Sequence, residues 1–314
     1  MQSHPIPLRT LRYEPRGVSS AATPWLNDPL AFHRRLAHFN LGRVAVAAPS
    51  VDWETRLRED LSFRLEEGHF LEALRQEVAH RLPAEGLHAD AFVAWFEQLL
   101  VDGPGQQHPL FDWLASHATM PQMRWFLTQE AAGEAGFDDL VAYTQVKLPV
   151  QAKLECARNY WDEMGHGREK GMHGLMLENM VLALNLKPTI ATTVWESLAL
   201  SNLMLGLATT RRYTYQSLGA LGVVELTAPG RVEKVSTGMR RLGLNGQMRA
   251  YFDLHAALDK SHARQWLKEI IRPLVAQDPS CGRFLAEGAL MRLLCGQRCF
   301  ERYSRELQHA IHLH

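Results

Sequence analysis

The chain has 314 residues, with 34 Lys plus Arg against 34 Asp plus Glu, so its formal charge is zero, and hydrophobic residues make up 46% of it. That balance argues against a dedicated nucleic-acid binder, which carries a basic excess, and the composition is that of a folded chain with a real core, not a disordered one. The four cysteines, Cys156, Cys281, Cys295 and Cys299, make no CxxC pair, so reduced thiols in a cytoplasmic protein are expected.

Prolines at 5, 7, 15, 24, 29 and 49 mark residues 1–55 as an extended arm with one short helix around 29–40. The N-terminal stretch lacks an apolar segment, so no secretory leader is expected. From 56 to 314 the chain reads as a single helical domain. Leu71, Leu74, Val78 and Leu82 keep a helical stripe that Pro83 stops. Asp90 is a candidate cap for the next helix, which Asp102, Gly103, Pro104 and Gly105 end. Further helices are expected over 120–132, 149–165, on either side of Lys187 and Pro188, and over 213–226, stopping before Pro229 and Gly230. Others follow at 232–242, 246–275 and 282–309. The most apolar stretch, 180–208, is broken by Asn185, Lys187, Pro188, Glu196 and Asn202, so no membrane span is expected. No alternating run bounded by turns suggests a strand, and the class is all-α, a compact multi-helix bundle.

The sharpest local pattern is His255, Asp259 and His262. At about 100° per residue, Asp259 falls about 40° and His262 about 20° from His255, so all three leave one helical face. Two imidazoles and a carboxylate there suit a divalent iron, manganese or zinc ion; the ordinary alternative is a solvated face. The residues around the stripe, Tyr251, Phe252, Leu254, Leu258 and Trp266, are apolar or aromatic, which favours burial and hence a partner for the charge. Glu163 and His166 have the Glu-x-x-His spacing of carboxylate-bridged di-iron bundles, although His166, flanked by Gly165 and Gly167, also suits a helix end. Glu130 and Glu225 each sit in an apolar run, where a carboxylate needs a partner. For Glu225 the alternative is a salt bridge to Arg231 or Arg240. Glu155, Asp162 and Glu196 are weaker candidates.

Taken together, Gln129-Glu130, the segment 160–166, the segment 219–225 and the 255–262 stripe resemble the heme-oxygenase-like di-iron oxidases and oxygenases, the iron-containing redox enzymes, over roughly residues 105–275. The resemblance implies a helical fold of the heme oxygenase and thiaminase-like TenA type. It implies that Glu163, His166, Glu225, His255, Asp259 and His262 correspond to metal ligands, with Glu130 matching a carboxylate found in some members. Where the family often carries a glutamate seven residues before its histidine, this chain has Asn159, and Glu163 must serve instead.

The cofactors so implied are two Fe(II)/Fe(III) ions, with O2 as co-substrate. The substrate expected is a small organic molecule, with amino acids and other carboxylate-bearing molecules among the candidates, and the partners implied are that substrate and an external electron donor; nucleic acid and membrane are not expected, and a homodimer stays open. Two ferrous ions held by carboxylates and imidazoles leave positions for O2, whereas a closed zinc site would favour cysteine ligands. Two alternatives remain at this level. One is a heme-binding protein using a single histidine. The other is a metal-free TenA-like protein, for which Cys156 is the available nucleophile.

Overall fold

A computed structural model describes residues 27–49, 51–134 and 136–309, except the side chains of 259, 260, 308 and 309. Residues 1–26 of the expected arm lie outside that set. Among the described residues there is no strand. The helices, in chain order, are α1 (Pro29–Val44), α2 (Trp53–Val78), α3 (Ala89–Asp102), α4 (Leu110–Ser116), α5 (Met120–Gly133), α6 (Phe137–Thr144), α7 (Val150–Glu163), α8 (His173–Ala183), α9 (Trp195–Thr209), α10 (Thr214–Arg241), α11 (Gly246–Trp266), α12 (Arg272–Gln277) and α13 (Cys281–His309).

Several boundaries differ from the sequence expectation, each for a local reason. Residues 29–44 form a helix because Asp28 accepts the Ala31 N–H and Pro29 suits the first turn. Its face bearing Phe32 and Leu36 is buried in the core. The α3 cap is His88, whose Nδ1 accepts the Ala91 N–H at 3.3 Å, not Asp90. Asp90 instead pairs with Arg272 at 2.8 Å. Pro229 does not divide two helices; it lies buried inside the continuous α10. Lacking an N–H, it leaves the Glu225 carbonyl without its helical donor four residues on. The short helices α4 and α6 have no counterpart in the sequence expectation. After α11 the chain passes without a break through a π turn, Leu267–Ile271, into α12.

α10 is the central rod, packed against α4, α11 and α13. Small residues allow this. A Cβ on Gly219 would lie 1.9 Å from the Leu285 carbonyl oxygen, and one on Gly288 would lie 1.8 Å from that of Gln216. The α10 and α13 backbones therefore touch at two points. On the adjoining face Trp266 of α11 lies against Gly222, and its indole N–H donates to the Leu218 carbonyl at 3.1 Å. That contact fixes how far α11 is rotated, and with it the face that carries 255 and 262. No helix of the described residues is long and apolar enough to cross a membrane.

One buried histidine links the fold to pH. His33 of α1 is 1% exposed, stacked on Trp195 at 5.8 Å and edge-on to Phe70 at 4.9 Å. Burial, helped by the nearby Arg298 charge, lowers its pKa to about 3. The unfolded chain takes up this proton near the ordinary value of about 6.5, and the folded chain does not. Stability is therefore expected to fall as pH drops below about 6.5, by a few kcal/mol at about pH 4. Urea midpoints measured at about pH 7 and pH 5 should show the loss, and a His33→Gln variant should show a shallower slope. An unchanged slope in the variant would exclude His33 as the source.

Candidate metal centre

Glu163 is the last residue of α7 and His173 the first of α8. Between them the chain doubles back. Gly165 has φ 59, and a Cβ there would lie 2.2 Å from the Gly171 carbonyl carbon. Only two glycines let the two backbone segments meet so closely. The turn returns His173 to Glu163, with Nδ1 2.8 Å from Oε2 and both side chains buried. α11 brings His255 to the same point, its ring centroid 4.7 Å from that of His173. Glu163, His173 and His255 each offer one ligand atom, and the three atoms lie within 4.8 Å of one another.

The tautomers suit a cation. His255 Nδ1 lies 2.7 Å from the Tyr251 carbonyl oxygen, so Nδ1 carries the proton and Nε2 keeps its lone pair. Burial, reinforced by His173 and His262, pulls the His255 pKa down to about 4, which leaves a neutral imidazole at pH 7. Burial also pushes the Glu163 carboxyl above its ordinary range, while His173 beside it pulls the other way. The short His173–Glu163 contact is off the line a hydrogen bond needs, so that buried nitrogen is left orphaned there. Two imidazoles and a carboxylate converging in this way fit a divalent metal of the iron, manganese or zinc group.

A second group adjoins the first. Glu225 of α10 is 3% exposed. It accepts a hydrogen bond from the Asn159 amide at 2.6 Å and lies 3.5 Å from His262 Nδ1. The alternative salt bridges to Arg231 or Arg240 do not form; Arg240 pairs with Asp253 at 3.7 Å. His262 Nε2 lies 3.1 Å from Asp162 Oδ2, and the other oxygen of Asp162 lies 3.2 Å from His166 Nε2. Asp259 is on α11, but its side chain is outside the described residues. Of the residues expected from sequence, the structure thus gathers Glu163, Glu225, His255 and His262.

His166 stands apart. It sits in the glycine turn at φ 54 with a side chain 65% exposed, in contact with Asp162 and edge-on to the Trp161 ring. The i, i+3 spacing does not bring it inward, because α7 ends at Glu163 and the helical phase is lost before 166. Sequence reasoning missed His173. The signal that was present is the glycine set 165, 167 and 171, which marks a backbone doubling back, but no spacing rule crosses such a turn. Glu130 of α5 lies outside the three-residue cluster and lines a cavity of about 110 Å³ beside it. The weaker candidates have structural partners: Glu155 pairs with Arg158, and Glu196 faces Arg302 and Arg305, each at 3.9 Å.

A family model described as iron-containing redox enzyme matches residues 124–297, a span that holds both groups. The chain belongs to this family. Solved structures similar to this chain include a domain of unknown function with a heme oxygenase-like fold from Shewanella denitrificans OS217. It is 16% identical with a TM-score of 0.51, over 70% of this chain and 91% of that one. A CADD-like protein of unknown function from Nostoc punctiforme PCC 73102 is 18% identical with a TM-score of 0.55, over 70% and 98%. At such identities they establish the heme oxygenase-like fold alone. No curated protein matches the sequence. Cys156, the available nucleophile for a TenA-like reaction, is fully buried, and burial pushes its thiol up to about 12, far from a reactive thiolate.

Proposed function

We propose that this family member is a non-heme di-iron oxidase or oxygenase that activates O2 to oxidise a small organic substrate. The observation that carries the reading is the convergence of Glu163, His173 and His255, with Glu225 and His262 alongside; Glu163, Glu225 and His255 also line one cavity of about 110 Å³. In this reading Glu163, His173 and His255 hold one iron. Glu225 and His262, with Asp259 on the same stripe, hold the other. Bound there, two ferrous ions supply two electrons to O2, and an external donor restores them. Glu130 and His166 are not assigned as ligands.

The chain's own residues set the conditions for that chemistry. The Tyr251 carbonyl fixes the His255 tautomer, and Asp162 does the same for His262, as partners behind ligating imidazoles do. Glu163 and Glu225 bring anionic oxygen, which favours iron over softer-ligand metals. Phe111, Leu127, Val224 and Phe252 wall the cavity and limit water at the metal face. The cavity is far smaller than a tetrapyrrole needs, and its lining carries four carboxylates, so its size and charge support the metal reading over heme.

The test is metal loading. After anaerobic addition of Fe(II) and desalting, about two irons per chain are expected. Fewer than one iron per chain would overturn the proposal, and a Soret band on heme addition with no iron bound would favour the heme reading.

A further inference from the structure

The cavity beside the metal centre carries more charge than two irons require. Besides Glu163 and Glu225, its lining holds Glu130 in the last turn of α5 and Glu134 just past its end, and Arg231 of α10 and Arg292 of α13. These last four are two acids and two guanidiniums in a chamber whose remaining lining, apart from the metal-centre side chains and Tyr251, is apolar. Buried opposite charges ordinarily close into direct pairs. Here none of the four makes an ion pair within 4.0 Å of another among the described residues. Arg231 reaches only Gln106 Oε1, at 3.5 Å, and lies over the Phe111 and Phe300 rings at 5.9 and 5.4 Å. Arg292 has no hydrogen-bond partner among the described residues. Glu134 accepts the Tyr251 hydroxyl at 3.4 Å, which places it at the metal end. Glu130 bonds the Tyr303 side chain and lies within the fields of both guanidiniums, and Glu134 within that of Arg292, without a direct pair closing.

We infer that this chamber binds a small zwitterion, an α-amino acid with an apolar side chain, as the substrate of the proposed centre. Its carboxylate lies between Arg231 and Arg292, its ammonium faces Glu130 and Glu134, and its side chain runs along Leu127, Val232 and Val235. Charge count selects this class. The two acids and two guanidiniums balance, so a plain anion or a plain cation would leave one buried charge uncompensated, whereas a zwitterion satisfies both signs. Guanidinium forks match carboxylate geometry. The cavity of about 110 Å³ has room for the head of an α-amino acid and excludes an acyl chain or a peptide, and because it is open on one side the apolar side chain extends out of it. The inference rests on the metal reading for its role but not for its binding.

Calorimetric titration of the iron-loaded protein without O2 tests it, with L-leucine and L-methionine as probes. Saturable binding of at least one is expected, with L-leucinamide and N-acetyl-L-leucine each about tenfold weaker or worse. Arg292→Met should abolish the preference for leucine over its amide, and Arg292→Lys should retain part of it. Glu134→Gln should abolish the preference for leucine over its N-acetyl form. Iron content should be unchanged in all three variants. No saturable heat from either amino acid at millimolar concentration overturns the inference, as does an amide that binds as tightly as the acid. Variants that lose iron while keeping these preferences overturn it too, because the charges then serve the metal. Protein that binds leucine but no iron would sink the metal reading and leave this one standing; the reverse pattern sinks only this one.

Discussion

His173→Ala is expected to strip iron from the protein, whereas His166→Ala is expected to leave it bound. Both histidines follow Glu163 within one turn-rich segment, and by spacing alone His166 is the better ligand. Placement reverses the order. His173 is buried with Nδ1 2.8 Å from Glu163, next to His255, while the His166 side chain is 65% exposed. Losing a direct ligand should weaken one iron site by more than the roughly 10- to 100-fold typical of partners behind the ligands. His166→Ala should change affinity by at most that smaller factor, through Asp162 and His262. Iron retained after desalting, read by plasma emission, separates the two. Iron lost only from His166→Ala would return that residue to the ligand set and remove His173 from it.

The largest effect on stability is expected from a methyl group. Within an exposed helix Gly→Ala normally stabilises, by up to about 1 kcal/mol. At Gly288 the sign should invert, because the new Cβ would stand 1.8 Å from the Gln216 carbonyl oxygen, and backbone cannot step aside as a flexible side chain does. α13 would have to move off α10 along a contact that also includes Gly219 and Leu285. A loss of about 3 kcal/mol or more follows, a large share of the roughly 5–15 kcal/mol that holds a domain together, with a melting point lower by about 5 °C or more. Gly68→Ala is the control, since a methyl group at that point of α2 would meet nothing within 4 Å, and there a small gain is expected. Thermal unfolding of both variants measures the difference; equal shifts would mean that the α10–α13 contact can relax.

Much of the fold is legible in the sequence because helical periodicity and proline or glycine stops are local signals. The all-α class, the Pro83 stop and the helices around 120–132 and 282–309 need nothing from elsewhere in the chain. Pro229 misleads because burial against neighbouring helices keeps α10 continuous across a missing hydrogen bond, and no local signal reports that packing. At the centre, His255 and His262 are readable since one helix fixes their phase, and Glu225 stands out as a carboxylate in an apolar run; Glu163 is picked out by its spacing to His166, although its partner in the structure is His173. His173 is not readable. Its position depends on Gly165 and Gly171 touching across a loop, and Arg292 likewise enters the cavity only through the α10–α13 approach.

The π turn at 267–271 has a consequence for how this protein tolerates change. One extra residue is wound into the rod just after Trp266, so the stretch before it and the stretch after it are out of step by about 100°. Trp266 is clamped to Leu218 and Ile270 and Ile271 are fully buried, so both sides are already committed to their neighbours. Removing a single residue from 267–271 would regularise the winding and force one side to swivel. If the downstream side held, the imidazoles at 255 and 262 would rotate away from Glu163 and Glu225. A shortened chain of this kind would keep its helix content and lose its iron, so length at this one place is as constrained as the identity of the ligands themselves.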